Sequence, residues 1–159
     1  MIDFDTIANE IIYTDKFQSL KNEPHHGLTR YDHILRVAKN TYKITKKFNL
    51  DYISATRGAL LHDYFNDSDY RTTKKMKEKC EIHPVIALNN ARREFELNNM
   101  EENIIISHMY PMCDVKPHYK ESWVVTAVDK TVALYECGLY KWRQSLALWM
   151  IFIFNFLNH

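Results

Sequence analysis

The chain has 159 residues, with 21 Lys and Arg against 20 Asp and Glu, a formal charge of +1 at neutral pH. That length suits one domain whose core needs no disulfides, and the balance of charge excludes a global field directed at nucleic acid or an anionic membrane. Cys80, Cys113 and Cys137 stand far apart with no C-x-x-C spacing, which argues against a thiolate zinc clip or a redox pair. The acidic start MIDFDTIANE lacks a basic, apolar leader, so a cytoplasmic setting is expected.

Three Gly, four Pro and apolar residues recurring at three- and four-residue spacing predict an all-α helical bundle spanning 1–159. A first helix is expected over 3–20, with Phe4, Ile7, Ala8, Ile11 and Ile12 as its buried stripe. The polar loop KNEPHHGLTR follows, then a helix over 31–48 that buries Ile34, Leu35, Ala38, Tyr42 and Phe48 and carries His33 in its first turn. Asp51 is a suitable N-cap for a third helix ending near His62 and Asp63. Beyond the charged loop 66–82, Pro84 predicts the start of a further helix, with Val85, Leu88, Ala91 and Phe95 as its buried face and His83 at its beginning. Asn98 or Asn99 caps a short helix bearing His108, which Pro111 stops. A helix over 119–136 contains Asp129, with Gly138 as its C-terminal cap.

His33, His62, Asp63, His83, His108 and Asp129 thus fall on successive helices or at their ends. Any one of these residues has an ordinary structural reading, as a surface histidine or a solvated helix position. In combination they are more informative, because Asp129 lies in the apolar run AVDKTVAL and a buried carboxylate needs a cation or hydrogen bonds to stay ionised. Imidazoles and carboxylates suit one or two divalent ions such as iron, manganese or zinc. An Asp63 carboxylate shared between two ions is compatible with the ~3.5–4 Å spacing of two-metal sites.

The order His33, His62-Asp63, Asp129, set in the words YDHILRVA, ALLHDY and VTAVDK, resembles the H…HD…D signature of the HD-domain superfamily of metal-dependent phosphohydrolases. The core of the resemblance is about 26–136. It implies an all-helical fold in which the four signature positions hold a metal. His83 in HPVIALNNA and His108 in IIISHMYP resemble the additional histidines of two-metal members. The implied activity is hydrolysis of a phosphate ester, in a nucleotide or related small phosphorylated metabolite, with water as nucleophile and Asp63 bridging the ions and orienting the water. The same resemblance leaves open a di-iron oxygenase and a non-catalytic nucleotide-binding module.

Two segments are expected to touch substrate. His26-Gly27-Leu28-Thr29 resembles an HGxT or HGxS segment that precedes the first metal histidine in related proteins, which implies contacts from His26 and Thr29. Arg71 and Lys74, in the basic run before His83, are placed to reach phosphate oxygens, although such a run also reads as a solvated loop. The apolar stretch LALWMIFIFNFL at 146–157 reaches only ~18 Å as a helix, short of the ~30 Å bilayer core. It is expected to belong to a final helix over about 141–157, buried in the core, or failing that in a homodimer contact, with attachment to a membrane surface behind Lys141 and Arg143 as the third reading.

Overall fold

A computed structural model describes residues 2–25, 27–69 and 76–157, the side chains at 76, 77, 79, 143, 144 and 146–157 excepted. The elements in chain order are α1 (Phe4–Ile12), α2 (Asp15–Ser19), a short 3-10 turn (Leu20–Asn22), the strands β1 (Pro24–His25) and β2 (Leu28–Thr29), α3 (Arg30–Lys47), α4 (Tyr52–Leu61), α5 (Met76–Glu94), α6 (Asn99–Ser107) and α7 (Lys120–Leu157). The fold is all-α, as the spacing of apolar residues predicts, and β1 and β2 make only a small antiparallel hairpin. Helix α3 packs against α4 and α7, α4 against α6, and α6 against α5 and α7. Their shared core includes Ile11, Phe17, Ile34, Leu60, Leu61, Ile104, Ile105 and Val125.

Helix starts follow the local chemistry of the chain. Asp51 accepts from the backbone N–H of Ile53 and Ser54, and Asn98 with Glu101 forms a reciprocal capping box at α6. The expected first helix is divided because the Thr14 hydroxyl donates to the Ile11 carbonyl and accepts from Phe17 N–H, ending one helix and capping the next. Phe48 is exposed at the end of α3 rather than buried. It is followed by Asn49 at φ 52°, a left-handed position that asparagine tolerates.

Two further expectations are corrected. Pro84 lies inside α5 instead of opening it. A proline there leaves one carbonyl a turn earlier without its helical N–H, and the helix former-rich segment MKEKCEIH carries the helix on the N-terminal side regardless. Val85 is exposed rather than buried, while Ala87, Leu88 and Ala91 face the core. Gly138 does not end α7, which continues to Leu157. A C-terminal glycine cap needs positive φ, and among the described glycines only Gly27 has it. The apolar C-terminal stretch therefore continues the helix that carries Asp129. Its burial concerns side chains outside those described, and no described helix is long and apolar enough to cross a membrane.

Helices α4 and α6 run parallel, with Ser54 beside Asn98, Gly58 beside Ile104 and His62 beside His108. Gly58 sets their separation, since a Cβ there would lie 2.9 Å from three carbons of Ile104. One turn further along each helix, the His62 and His108 rings meet edge to face with centroids 4.9 Å apart. Replacing Gly58 by Val should therefore destabilise the fold by about 1–3 kcal/mol through overpacking and widen the gap between the two imidazoles. Urea unfolding of both proteins measures this, and equal midpoints and slopes would show that α4 and α6 do not need the glycine.

Candidate metal centre

Helices α3 and α7 hold His33 from both sides of its ring. Asp129 and Glu136 lie two turns apart on α7 and so share a face. His33 Nδ1 is 2.8 Å from Glu136 Oε2, and its Nε2 is 3.0 Å from Asp129 Oδ1. Arg36, one turn beyond His33, donates from Nη1 to the other oxygen of Glu136 at 2.9 Å. The Glu136 side chain is fully buried, and this pairing with Arg36 leaves its second oxygen to accept from His33 Nδ1–H. His33 Nε2 then faces Asp129 and the cluster, donating a proton to that carboxylate when no cation is bound and offering a lone pair once the proton is displaced.

His62 and His108 use a second device. Each is the residue that closes its helix, α4 or α6, where the last carbonyls lack helical partners. His62 Nδ1 donates to the Ala59 carbonyl at 2.7 Å and His108 Nδ1 to the Ile105 carbonyl at 2.8 Å. Both rings are thereby fixed as tautomers that present Nε2. His83, from the middle of α5, brings its Nε2 to 2.9 Å from His108 Nε2.

Asp63 stands between these groups. Its Oδ1 is 3.5 Å from both His83 Nε2 and His108 Nε2, while its Oδ2 is 3.8 Å from His62 Nε2. The segment that carries it is fastened on two sides: Arg30 donates to the Phe65 carbonyl and stacks on the Phe65 ring, and Asn90 donates to the Tyr64 carbonyl. A register shift of the His-Asp doublet would break both clamps.

Electrostatics keeps the carboxylates ionised and draws positive charge, as protons or as a cation, onto the groups around them. Burial alone would raise the Asp63 and Asp129 carboxyls, but His62, His108 and His83 around Asp63, and His33 and His62 around Asp129, hold both well below the usual carboxylate range. Burial pushes the His33 ring down, and the hydrogen bonds to Asp129 and Glu136 outweigh it, so the pKa rises from 6.5 to about 9. His62 is raised for the same reason, chiefly through Asp63 and Asp129 against its own burial.

The donors fit divalent metal ions. His62 Nε2 and Asp63 Oδ1 are buried without a hydrogen-bond partner, a costly condition unless something else satisfies them. Two donors bonded to one ion at ~2.0–2.2 Å stand roughly 2.9–3.5 Å apart, which is the spacing of His33 with Asp129 and of Asp63, His83 and His108. Ligand atoms fall into the groups His33/His62/Asp129 and Asp63/His83/His108, with a third group, His25/His33/Asp63. Thus His33, His62, Asp63, His83, His108 and Asp129 converge. Thr29 caps α3, its hydroxyl accepting from Asp32 N–H and donating to Asp32 Oδ2. His26, Arg71 and Lys74 lie outside the described residues.

The profile of the HD domain matches residues 30–134. The chain belongs to the HD domain family. This is a superfamily of metal-dependent phosphohydrolases. No curated protein and no solved structure matches the chain. Two residues that meet the donors, His25 and Glu136, lie just outside the segment matched to the HD domain. Sequence reading missed both, although Glu136 follows Asp129 at the two-turn spacing that marks one helix face.

The Glu136 carboxylate should matter to this HD domain chiefly through His33. Glu136→Ala is expected to weaken divalent-metal binding by roughly 10–100-fold with helicity retained, since Arg36 is partly exposed and can turn to water. Calorimetric titration of the two proteins with manganese checks this, and equal affinities would exclude the role.

The raised His33 pKa also gives a pH dependence with opposite signs for fold and metal. A protonated His33 stabilises the metal-free fold fully below about 6.5, and that contribution is lost as pH rises through about 9. A metal must displace the Nε2 proton, so its affinity climbs over the same window. The rise in melting temperature on adding manganese should therefore be larger at pH 9 than at pH 6.5, as thermal scans with and without the ion will show.

Proposed function

We propose that this HD domain is a divalent-metal-dependent hydrolase of phosphate esters, acting on a nucleotide or a related small phosphorylated metabolite. The observation that carries the reading is Asp63, whose two oxygens face different groups of imidazoles. That arrangement suits a carboxylate shared between two ions. His33, His62 and Asp129 would hold the first with Asp63, while His83 and His108 would hold the second. Bound there, a pair of divalent ions would bring the pKa of water toward neutrality and neutralise charge on phosphate oxygens.

The protein's part is orientation. Helix-end carbonyls hold His62 and His108 with Nε2 inward, and Glu136 does the same for His33. Asp63 and Asp129 stay ionised well below neutral pH and are available to a cation. The clustered side chains are imidazoles and carboxylates, so water is the proposed nucleophile. Lys130 donates to the His108 carbonyl at 2.7 Å and lies 3.6 Å from Asp129, which places a positive charge at the edge of the donor cluster.

The test is a screen of chelator-treated protein, resupplied with manganese, iron(II) or zinc, against nucleotides, cyclic dinucleotides, dinucleoside polyphosphates and sugar phosphates. Phosphate release should depend on added metal and fall to near background in Asp63→Ala with helicity preserved. His83→Ala and His108→Ala should each lower the metal content by about one ion per chain. Equal turnover by wild type and Asp63→Ala at matched metal content would sink the proposal, and dioxygen-dependent turnover would redirect it to an oxygenase.

A further inference from the structure

The hairpin β1–β2 brings a histidine to the metal centre from outside the helical bundle. His25, on β1, lies beside His33 with ring centroids 4.5 Å apart and planes tilted by 47°, and one of its ring nitrogens lies within 4.8 Å of donor atoms of His33 and Asp63. The hairpin is held firmly for so short an element. The Glu23 carbonyl accepts from Arg30 N–H at 2.9 Å, and the Glu23 carboxylate accepts from Asp67 N–H at 3.1 Å. At the turn, Gly27 adopts φ +85° against the Tyr140 ring of α7, where any Cβ would overlap that ring. The strand carrying His25 is therefore seated between α3, the segment after Asp63, and α7.

We infer that His25 is a further ligand of the ion proposed at His33, His62, Asp63 and Asp129. The inference rests on the two-ion reading given above. A separate third ion at His25, His33 and Asp63 is disfavoured because both His33 nitrogens are committed: Nδ1 faces Glu136 and Nε2 faces the first group. His33 thus has one lone pair to give, and His25 shares the ion that takes it. With His25 added, the first position is surrounded more completely by protein donors than the second, which has Asp63, His83 and His108. The more open second position is then the one left for water and substrate oxygens, and the hairpin closes the first.

Cobalt(II) binding to the full chain tests this independently of turnover, because its visible absorption reports the ligands around it. Metal-free wild type, His25→Ala and His83→Ala are titrated with cobalt. His25→Ala should keep the wild-type stoichiometry but bind at least about tenfold more weakly. Its visible spectrum should be altered, and free imidazole should restore it. His83→Ala should instead lose stoichiometry. Should metal-free His25→Ala melt lower than wild type, His25→Phe, which retains a ring but no donor, takes its place with the same expectation. Wild-type affinity and spectrum in the His25 variants, with stoichiometry lost in His83→Ala, would overturn the inference and leave the two-ion reading intact, as would a raised KM of the His25 variants for a phosphate substrate with unchanged cobalt binding. Failure of wild type to take up cobalt would overturn both.

Discussion

The carboxylates Asp63 and Asp129 sit in the interior of this bundle, backed by the buried Glu136, and the surrounding architecture follows from keeping them charged there. An ionised carboxylate removed from water is strongly destabilising without a partner. The partners here are mainly imidazoles, and His33, His62 and His108 each offer one nitrogen inward while a carboxylate or a helix-end carbonyl holds the other. Lys130 and Arg36 contribute from the edge, the first near Asp129 and the second through Glu136. Neutral imidazoles balance a carboxylate poorly, whereas protonated ones, or ions in their place, balance it well. The cluster is thus built to hold positive charge, whether as protons or as metal.

What fixes the imidazoles is ordinary helix chemistry placed at useful points. The ends of α4 and α6 leave carbonyls without helical partners, and His62 and His108 take up one each. The parallel packing of those helices over Gly58 brings the two ends together. On α7, two acidic side chains on one face grip a single ring of α3. The geometry of the cluster comes from helix termini and helix faces, with Arg30 and Asn90 holding the irregular segment that carries Asp63.

The helical class, the caps at Asp51 and Asn98, and the convergence of the six donors were legible because each depends on local spacing or on residue types that seldom cluster by chance. The errors have equally local causes. Thr14 offered the backbone an alternative to helix, Pro84 was tolerated within one, and Gly138 lacked the left-handed conformation that would have stopped one. Each of these residues has two common structural uses, and tertiary surroundings choose between them. His25 was missed because nothing in the sequence says that a two-residue strand will fold back onto α3. The pairing of Arg36 with Glu136 exists only once α3 and α7 are placed side by side.

The pincer around His33 closes over a long stretch of chain. Its contacts to Asp129 and Glu136 join residues 96 and 103 positions apart, so no short fragment contains the donor set. Contacts of this sequence separation form late and slowly relative to local helix growth. A chain emerging from synthesis could complete α3, α4 and α6 and still lack the acidic side of the centre. A ligand that requires all of these donors binds only the finished fold, and mass action then draws the folding equilibrium toward it. Cation supply would in that way set how much of the chain persists in its native form, apart from any reaction the site performs.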